Sequence, residues 1–148
     1  MAEHPNVARI KDGYAAFAKG DFAALNDLIA EDVLWHVGGR NQLTGDYRGR
    51  DAVYGFFGKL IEVTEGSYHI DLHAVFADDE HGVALVVSRS SRGGRSIEVN
   101  EAHVSHLRDA IIEYSDVNSV KRPRAGPRAG MQVSWSVRCD LDNDIPRL

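Results

Sequence analysis

Glu101, His103 and Ser105 alternate along the stretch NEAHVSH, so in an extended chain they share one face. A carboxylate two residues from an imidazole is a pairing suited to general acid–base catalysis, in which the acid orients the ring and the ring moves a proton near neutral pH. Burial would raise the glutamate's pKa and lower the histidine's, while their mutual attraction opposes both shifts. Alternation leaves the face open, because Ile97, Val99 and Leu107 accompany Glu101 whereas Ala102 and Val104 lie opposite. The expectation is that Glu101 and His103 turn inward.

A second candidate is Asp116, which alternation places with Tyr114 and Ile112 in the stretch IIEYSDV. In a dry pocket a carboxylate beside a phenol could move a proton on a small ketone or enol. The other reading is a strand-end aspartate bonded to Asn118 or Ser119 in a turn. Trp35 and His36 are adjacent and must face opposite sides, so either an aromatic wall or a titratable base enters the interior.

His69, Asp71 and His73 would share a strand face at spacings of about 6.5–7 Å, close enough for two of them to ligate a metal but not three. An ordinary polar face opposite Tyr68, Ile70 and Leu72 is the simpler reading, and no metal is expected. Arg48 and Arg50, with Asp46 in the same glycine-rich loop, suit carboxylate pairing that fixes the loop or contact with a ligand's acid group, and Asp51 suits a helix cap. Tyr14, Phe17, Phe56 and Phe57 are core residues first, and the same helix faces would give them to a pocket wall. The candidates for ligand contact are thus Tyr14, Phe17, Trp35, His36, Phe56, Phe57 and His73, and those for catalysis are Asp116, His103 and Glu101. Gly-rich phosphate loops, Gly-x-Ser-x-Gly elbows and Cys-x-x-Cys pairs are absent, so no cofactor is expected.

Three helical segments must position these groups. Val7, Ile10, Tyr14, Phe17 and Ala18 recur at helical spacing up to Lys19, where Gly20 ends the segment and Asp21 caps a second helix expected over 22–30. A strand is expected over 33–37, and a third helix over 52–64 buries Val53, Phe56, Phe57, Leu60 and Ile61. Beyond Gly66 the period becomes 2, which predicts strands over 68–76, 83–89, 97–107 and 111–117. Helices followed by a run of strands define an α+β fold. Residues 121–130, KRPRAGPRAG, break the periodicity, so the chain divides into a domain over 1–120 and a low-complexity basic linker with an atypical tail over 121–148.

At 148 residues the chain is long enough for one real core, and 43% hydrophobic with 26% charged residues is a globular composition. Residues 1–120 carry 11 Lys+Arg against 19 Asp+Glu, while 121–148 carry 6 against 3. An acidic body offers nucleic acid no footprint, and the basic run at Lys121–Arg124 lacks interleaved aromatics. No apolar run approaches bilayer length, and MAEHPNVARI lacks the features of a secretion signal, so no membrane partner and a cytoplasmic location are expected. The lone Cys139 agrees with a reducing compartment.

The helix–Gly-Asp–helix opening, Trp35 on the first strand, the GDYRGRDAV loop and the hairpin strands resemble the SnoaL-like branch of the NTF2-like superfamily over roughly residues 7–118. The resemblance implies a cone of three N-terminal helices packed on a curved antiparallel sheet, with an apolar pocket for a small molecule and usually a homodimer. Ketosteroid isomerase, a related branch, needs a first-helix tyrosine, a first-strand carboxylate base and a protonated acid on the later long strand. Anchored on Gly20-Asp21, those positions fall on Gly13, on Val37 beside His36, and on or near His103, with Tyr14 about 100° round the helix from the first. None is matched, so steroid isomerase chemistry is not carried over. In the polyketide cyclase branch a pocket aspartate acts as acid and base, and Asp116 most resembles it. Where relatives close the pocket with an aromatic-rich C-terminal segment, this chain has SVKRPRAGPRAG, which leaves that end open or sealed by a dimer partner.

Overall fold

A computed structural model describes residues 2–119; the expectations for the linker and tail lie outside the described residues. Helix α1 spans Pro5–Lys19, α2 Phe22–Asn26 and α3 Arg50–Val63, and the strands are β1 Ile29–Val37, β2 Gly45–Arg48, β3 His69–Ala77, β4 His81–Arg92, β5 Arg95–Arg108 and β6 Ile111–Ser119. The six strands form one sheet in the order β2-β1-β6-β5-β4-β3.

Local chemistry sets the helix ends. His4 caps α1 by accepting from the Asn6 amide at 3.2 Å, with Pro5 pre-set for the first turn. Gly20, at φ 69°, takes the left-handed conformation that closes the helix, and its amide donates to the Phe17 carbonyl at 3.0 Å. Asp21 caps α2 through the Ala24 amide at 3.0 Å.

The second helix ends at Asn26 and not at Ala30, because Ile29 already belongs to β1. Part of the expected glycine-rich loop is a short strand, β2, paired antiparallel with β1. Gly49, at φ 87° and ψ 152°, takes the N-cap position expected of Asp51, which sits instead in the first turn of α3. That backbone region is essentially restricted to glycine. Arg50 then reaches back, with Nε and Nη2 donating to the Ile29 carbonyl at 3.1 and 2.7 Å, which ties the start of α3 to the start of β1.

The sheet is not purely antiparallel: β1 runs parallel to β6. This follows from connectivity, since β1 precedes α3 and the β3–β6 meander and is then flanked by the last strand of that meander. α1 packs on β3 and β4, and α3 on β1 and β2, so the helices cover one face of the curved sheet. The larger core cluster joins Leu25, Leu28, Ile29, Val33, Val53, Phe56 and Phe57, and Val33 and Val53 have no exposed surface. A smaller cluster of Ile10, Ala84 and Val86 lies under α1. Among the described residues no helix is long and apolar enough to cross a membrane.

Candidate functional site

Between helices and sheet lies a mostly apolar cavity of about 100 Å³, whose wall includes Tyr14 and Phe17 from α1, Trp35 from β1, Phe56 and Phe57 from α3, and Glu101, His103 and Ser105 from β5. Two glycines of its wall pack closely against side chains. A Cβ on Gly13 would meet Leu28 Cδ2 at 2.4 Å, and one on Gly82 would meet Ile10 Cδ1 at the same distance. Glycine at both points lets α1 settle onto its neighbours.

Tyr14, His103 and Glu101 of the wall form one chain with Ser88. The Tyr14 hydroxyl lies 2.6 Å from His103 Nδ1, His103 Nε2 lies 2.9 Å from Glu101 Oε2, and Ser88 Oγ donates to Glu101 Oε1 at 2.6 Å. The Tyr14 and His103 rings are stacked at 5.9 Å. With Glu101 ionised, its carboxylate accepts from Nε2–H, which leaves the Nδ1 lone pair for the Tyr14 hydroxyl proton.

Burial sets the protonation of both ends. It pushes the Tyr14 phenol well above its ordinary value, and the Glu101 charge adds to that. Tyr68, also in the wall, is raised for the same two reasons while a bond with Ser88 works against them. Burial also works to raise Glu101, but its hydrogen bond with His103, the attraction of that ring and the Ser88 bond together prevail and hold the carboxyl below its usual 4.5. The site therefore keeps a neutral phenol and an ionised carboxylate on either side of an imidazole.

A pH consequence follows. A depressed folded-state pKa stabilises the fold fully above the unfolded value and loses that contribution as pH falls through the folded value. Wild-type protein should therefore lose stability in urea as pH drops below 4.5, and Glu101→Gln should lose less over the same window. Equal acid sensitivity in the two proteins would count against a depressed Glu101.

The sequence-derived candidates divide. Tyr14, Phe17, Trp35, Phe56, Phe57, Glu101 and His103 all line the cavity. Asp116, His36 and His73 do not. His36 stands across β1–β6 from Asp116, on the face of the sheet opposite Trp35, and its Nδ1 lies 2.6 Å from Asp46 Oδ1. Asp116 shares that outer face, with Oδ1 buried and without a hydrogen-bond partner.

Asp116 was expected with Ile112, but a register shift opposite His106 and Leu107 sets Ile112 inward while Ser115 and Val117 are the cavity residues beyond it. One extra residue in a strand reverses every side chain that follows. His73 stays on the exposed face with His69 and Asp71, away from the cavity, and the irregularity between Leu72 and Ala74 shifts the alternation only beyond it. Asp71 is instead engaged by His69 at 2.9 Å and by Arg89. Among the described residues no group of three or more His, Cys, Asp or Glu could hold a metal.

Sequence reasoning missed Tyr68, Ser88 and Ser115. Alternation with Ile70 and Leu72 marked Tyr68 as facing inward, and that signal was available. Ser88 becomes visible only once the β4–β5 register sets it one strand away from Glu101, because nothing in a lone serine announces a carboxylate partner.

A curved six-stranded sheet roofed by helices, with a hydrogen-bonded polar chain in the wall of the cavity between them, is an α+β architecture. The chain belongs to the SnoaL-like family: the model of the SnoaL-like domain matches residues 10–114. It is 31% identical over 103 residues to an uncharacterised protein of Mycobacterium tuberculosis (strain H37Rv), a match covering 69% of this chain and 79% of that one. Among solved structures it resembles Bal32a from a soil-derived mobile gene cassette, at 29% identity and TM-score 0.73 over 77% of this chain and 88% of that one. It also shares its fold with IdmH, a suggested polyketide cyclase of Streptomyces antibioticus, at 20% identity and TM-score 0.66 over 78% of this chain and 92% of that one.

Proposed function

We propose that this protein is a cofactor-independent acid–base enzyme acting on a compact apolar carbonyl compound. The observation that carries the reading is the Tyr14–His103–Glu101 chain, bonded at 2.6 and 2.9 Å in the wall of an apolar cavity. The Tyr14 hydroxyl turns from His103 to the ligand's carbonyl oxygen and donates to it as negative charge develops there. His103 Nδ1, released from the phenol, takes the proton from the carbon beside the carbonyl, and Glu101 holds the imidazolium through Nε2–H. The resulting enolate takes the proton back from the imidazolium at a conjugated carbon, which is isomerisation, or attacks a second carbonyl whose alkoxide takes that proton, which is aldol-type cyclisation. The raised Tyr14 pKa supports the phenol as a donor, and the lowered Glu101 pKa supports the carboxylate as an orienting group.

A second reading, a binding module without chemistry, draws on a different observation: Tyr14, His103, Glu101 and Ser88 satisfy one another. Deuterium exchange separates the two. Cyclohexanone in D₂O should exchange its α-protons faster with the protein present than in buffer alone. Binding without acceleration would favour the module.

A further inference from the structure

Two polar groups of the cavity wall stand outside that chain. Trp35 Nε1 and Ser115 Oγ are both buried and have no hydrogen-bond partner. Trp35 and Ser115 are Cα partners in the parallel β1–β6 pairing, and both line the cavity. Ser115 is only 1% exposed. The indole nitrogen can only donate, and the hydroxyl can donate as well. Phe57 meets the Trp35 ring at 90° and 5.6 Å, an aromatic contact that offers no lone pair. Buried donors left unmade are rare in folded proteins, since their lost hydration is not returned. Two such donors belong to paired residues on adjacent strands, both in the wall of one hollow.

We propose that Trp35 and Ser115 form a second oxygen subsite, so that the ligand carries two carbonyl-type oxygens on one compact apolar body. This rests on the reading above, in which the first oxygen sits at Tyr14. Ser115 pairs with Ser105 across β5–β6, and Ser105 lies two residues from His103, about 6.5–7 Å along the strand. His103 and Ser115 are thus diagonal neighbours across β5–β6, and a compact ring with an oxygen at each end, as in a cyclic 1,4-dione, is of the size to face both. At about 100 Å³ the cavity is smaller than the roughly 150 Å³ hollow that takes benzene, so it limits the ligand to one small ring. A flat or chair-like ring between the aromatic side chains, with an oxygen at each end, would satisfy both sets of donors at once.

Cyclohexane-1,4-dione and cyclohexanone test this, because they share a ring and differ by one carbonyl. Each is titrated into the wild type and into the Trp35→Phe/Ser115→Ala double variant, with affinity read from backbone amide shifts. The ratio of dione to cyclohexanone affinity should fall about 5–10-fold in the double variant, as expected for the loss of one or two neutral hydrogen bonds. In the wild type, the Trp35 indole N–H signal should move with the dione and much less with cyclohexanone. This second readout needs no variant to fold. An unchanged ratio with a still indole signal would overturn the second subsite and leave the Tyr14 site standing; a bound water on Trp35 and Ser115 would give that result. Failure of both ketones to bind the wild type would overturn the reading of the cavity, and this proposal with it.

Discussion

Replacing His103 by alanine is expected to slow protein-catalysed α-exchange of cyclohexanone by roughly 10²–10⁴-fold, the span that a positioned general base contributes. The ring does two things in the proposed reaction that no neighbour can take over. It presents Nδ1 toward the Tyr14 hydroxyl at 2.6 Å, and it holds Nε2–H 2.9 Å from Glu101, whose carboxylate balances the imidazolium that forms. Glu101→Gln should cost less, because an amide still accepts from Nε2–H although it no longer balances the imidazolium. Tyr14→Phe keeps the ring stacked on His103 and removes only the donor, so it should lower the rate while preserving the fold. The order His103→Ala, then Tyr14→Phe and Glu101→Gln, separates the base from its helpers. Exchange in His103→Ala within about three-fold of wild type would remove the imidazole from the mechanism.

The largest effect on stability is expected at Phe57. Its ring lies 5.0 Å from Phe17 and 5.6 Å from each of Trp35 and Phe56, so it joins α1, α3 and β1 at one point. It is 7% exposed and belongs to the main core cluster. Phe57→Ala removes most of a buried aromatic beside an existing hollow, where collapse of the neighbours cannot refill the space. Truncations of this kind cost about 3–5 kcal/mol. At about 2–4 °C per kcal/mol for a domain near this size, the melting temperature should fall by roughly 10 °C. Phe57→Leu should fall by much less, since it leaves a smaller void. A melting temperature within about 3 °C of wild type for Phe57→Ala would show that the ring is not the hinge of the core.

Much of the fold was legible because the periods were clean. Val7, Ile10, Tyr14 and Phe17 mark α1 by helical spacing, and Gly20-Asp21 mark its end and the next beginning by their backbone and capping chemistry. The strands fell near their expected places for the same reason. The errors lie where one residue breaks the count. Irregularities just beyond His73 and between Ile112 and Tyr114 reverse the faces of the residues that follow them, and no composition signal announces such a bulge.

The choice between Trp35 and His36 was also beyond alternation, which shows that two neighbours differ without saying which is inside. Tertiary partners settle it. Trp35 meets Phe57 across the cavity wall, and His36 reaches Asp46 on β2. The parallel β1–β6 pair escaped for a related reason, because strand order depends on contacts between segments about 80 residues apart. Glu101 and His103 were legible as a pair from spacing alone, whereas the part of Tyr14 in their chain required α1 to be laid across β5.

The most direct test is the α-exchange rate of cyclohexanone in D₂O with and without the wild-type protein, followed by NMR at neutral pH. An acid–base cavity predicts acceleration that scales with protein concentration, saturates with ketone and disappears when the protein is unfolded. A ketone that binds in the cavity yet exchanges at the buffer rate would contradict it.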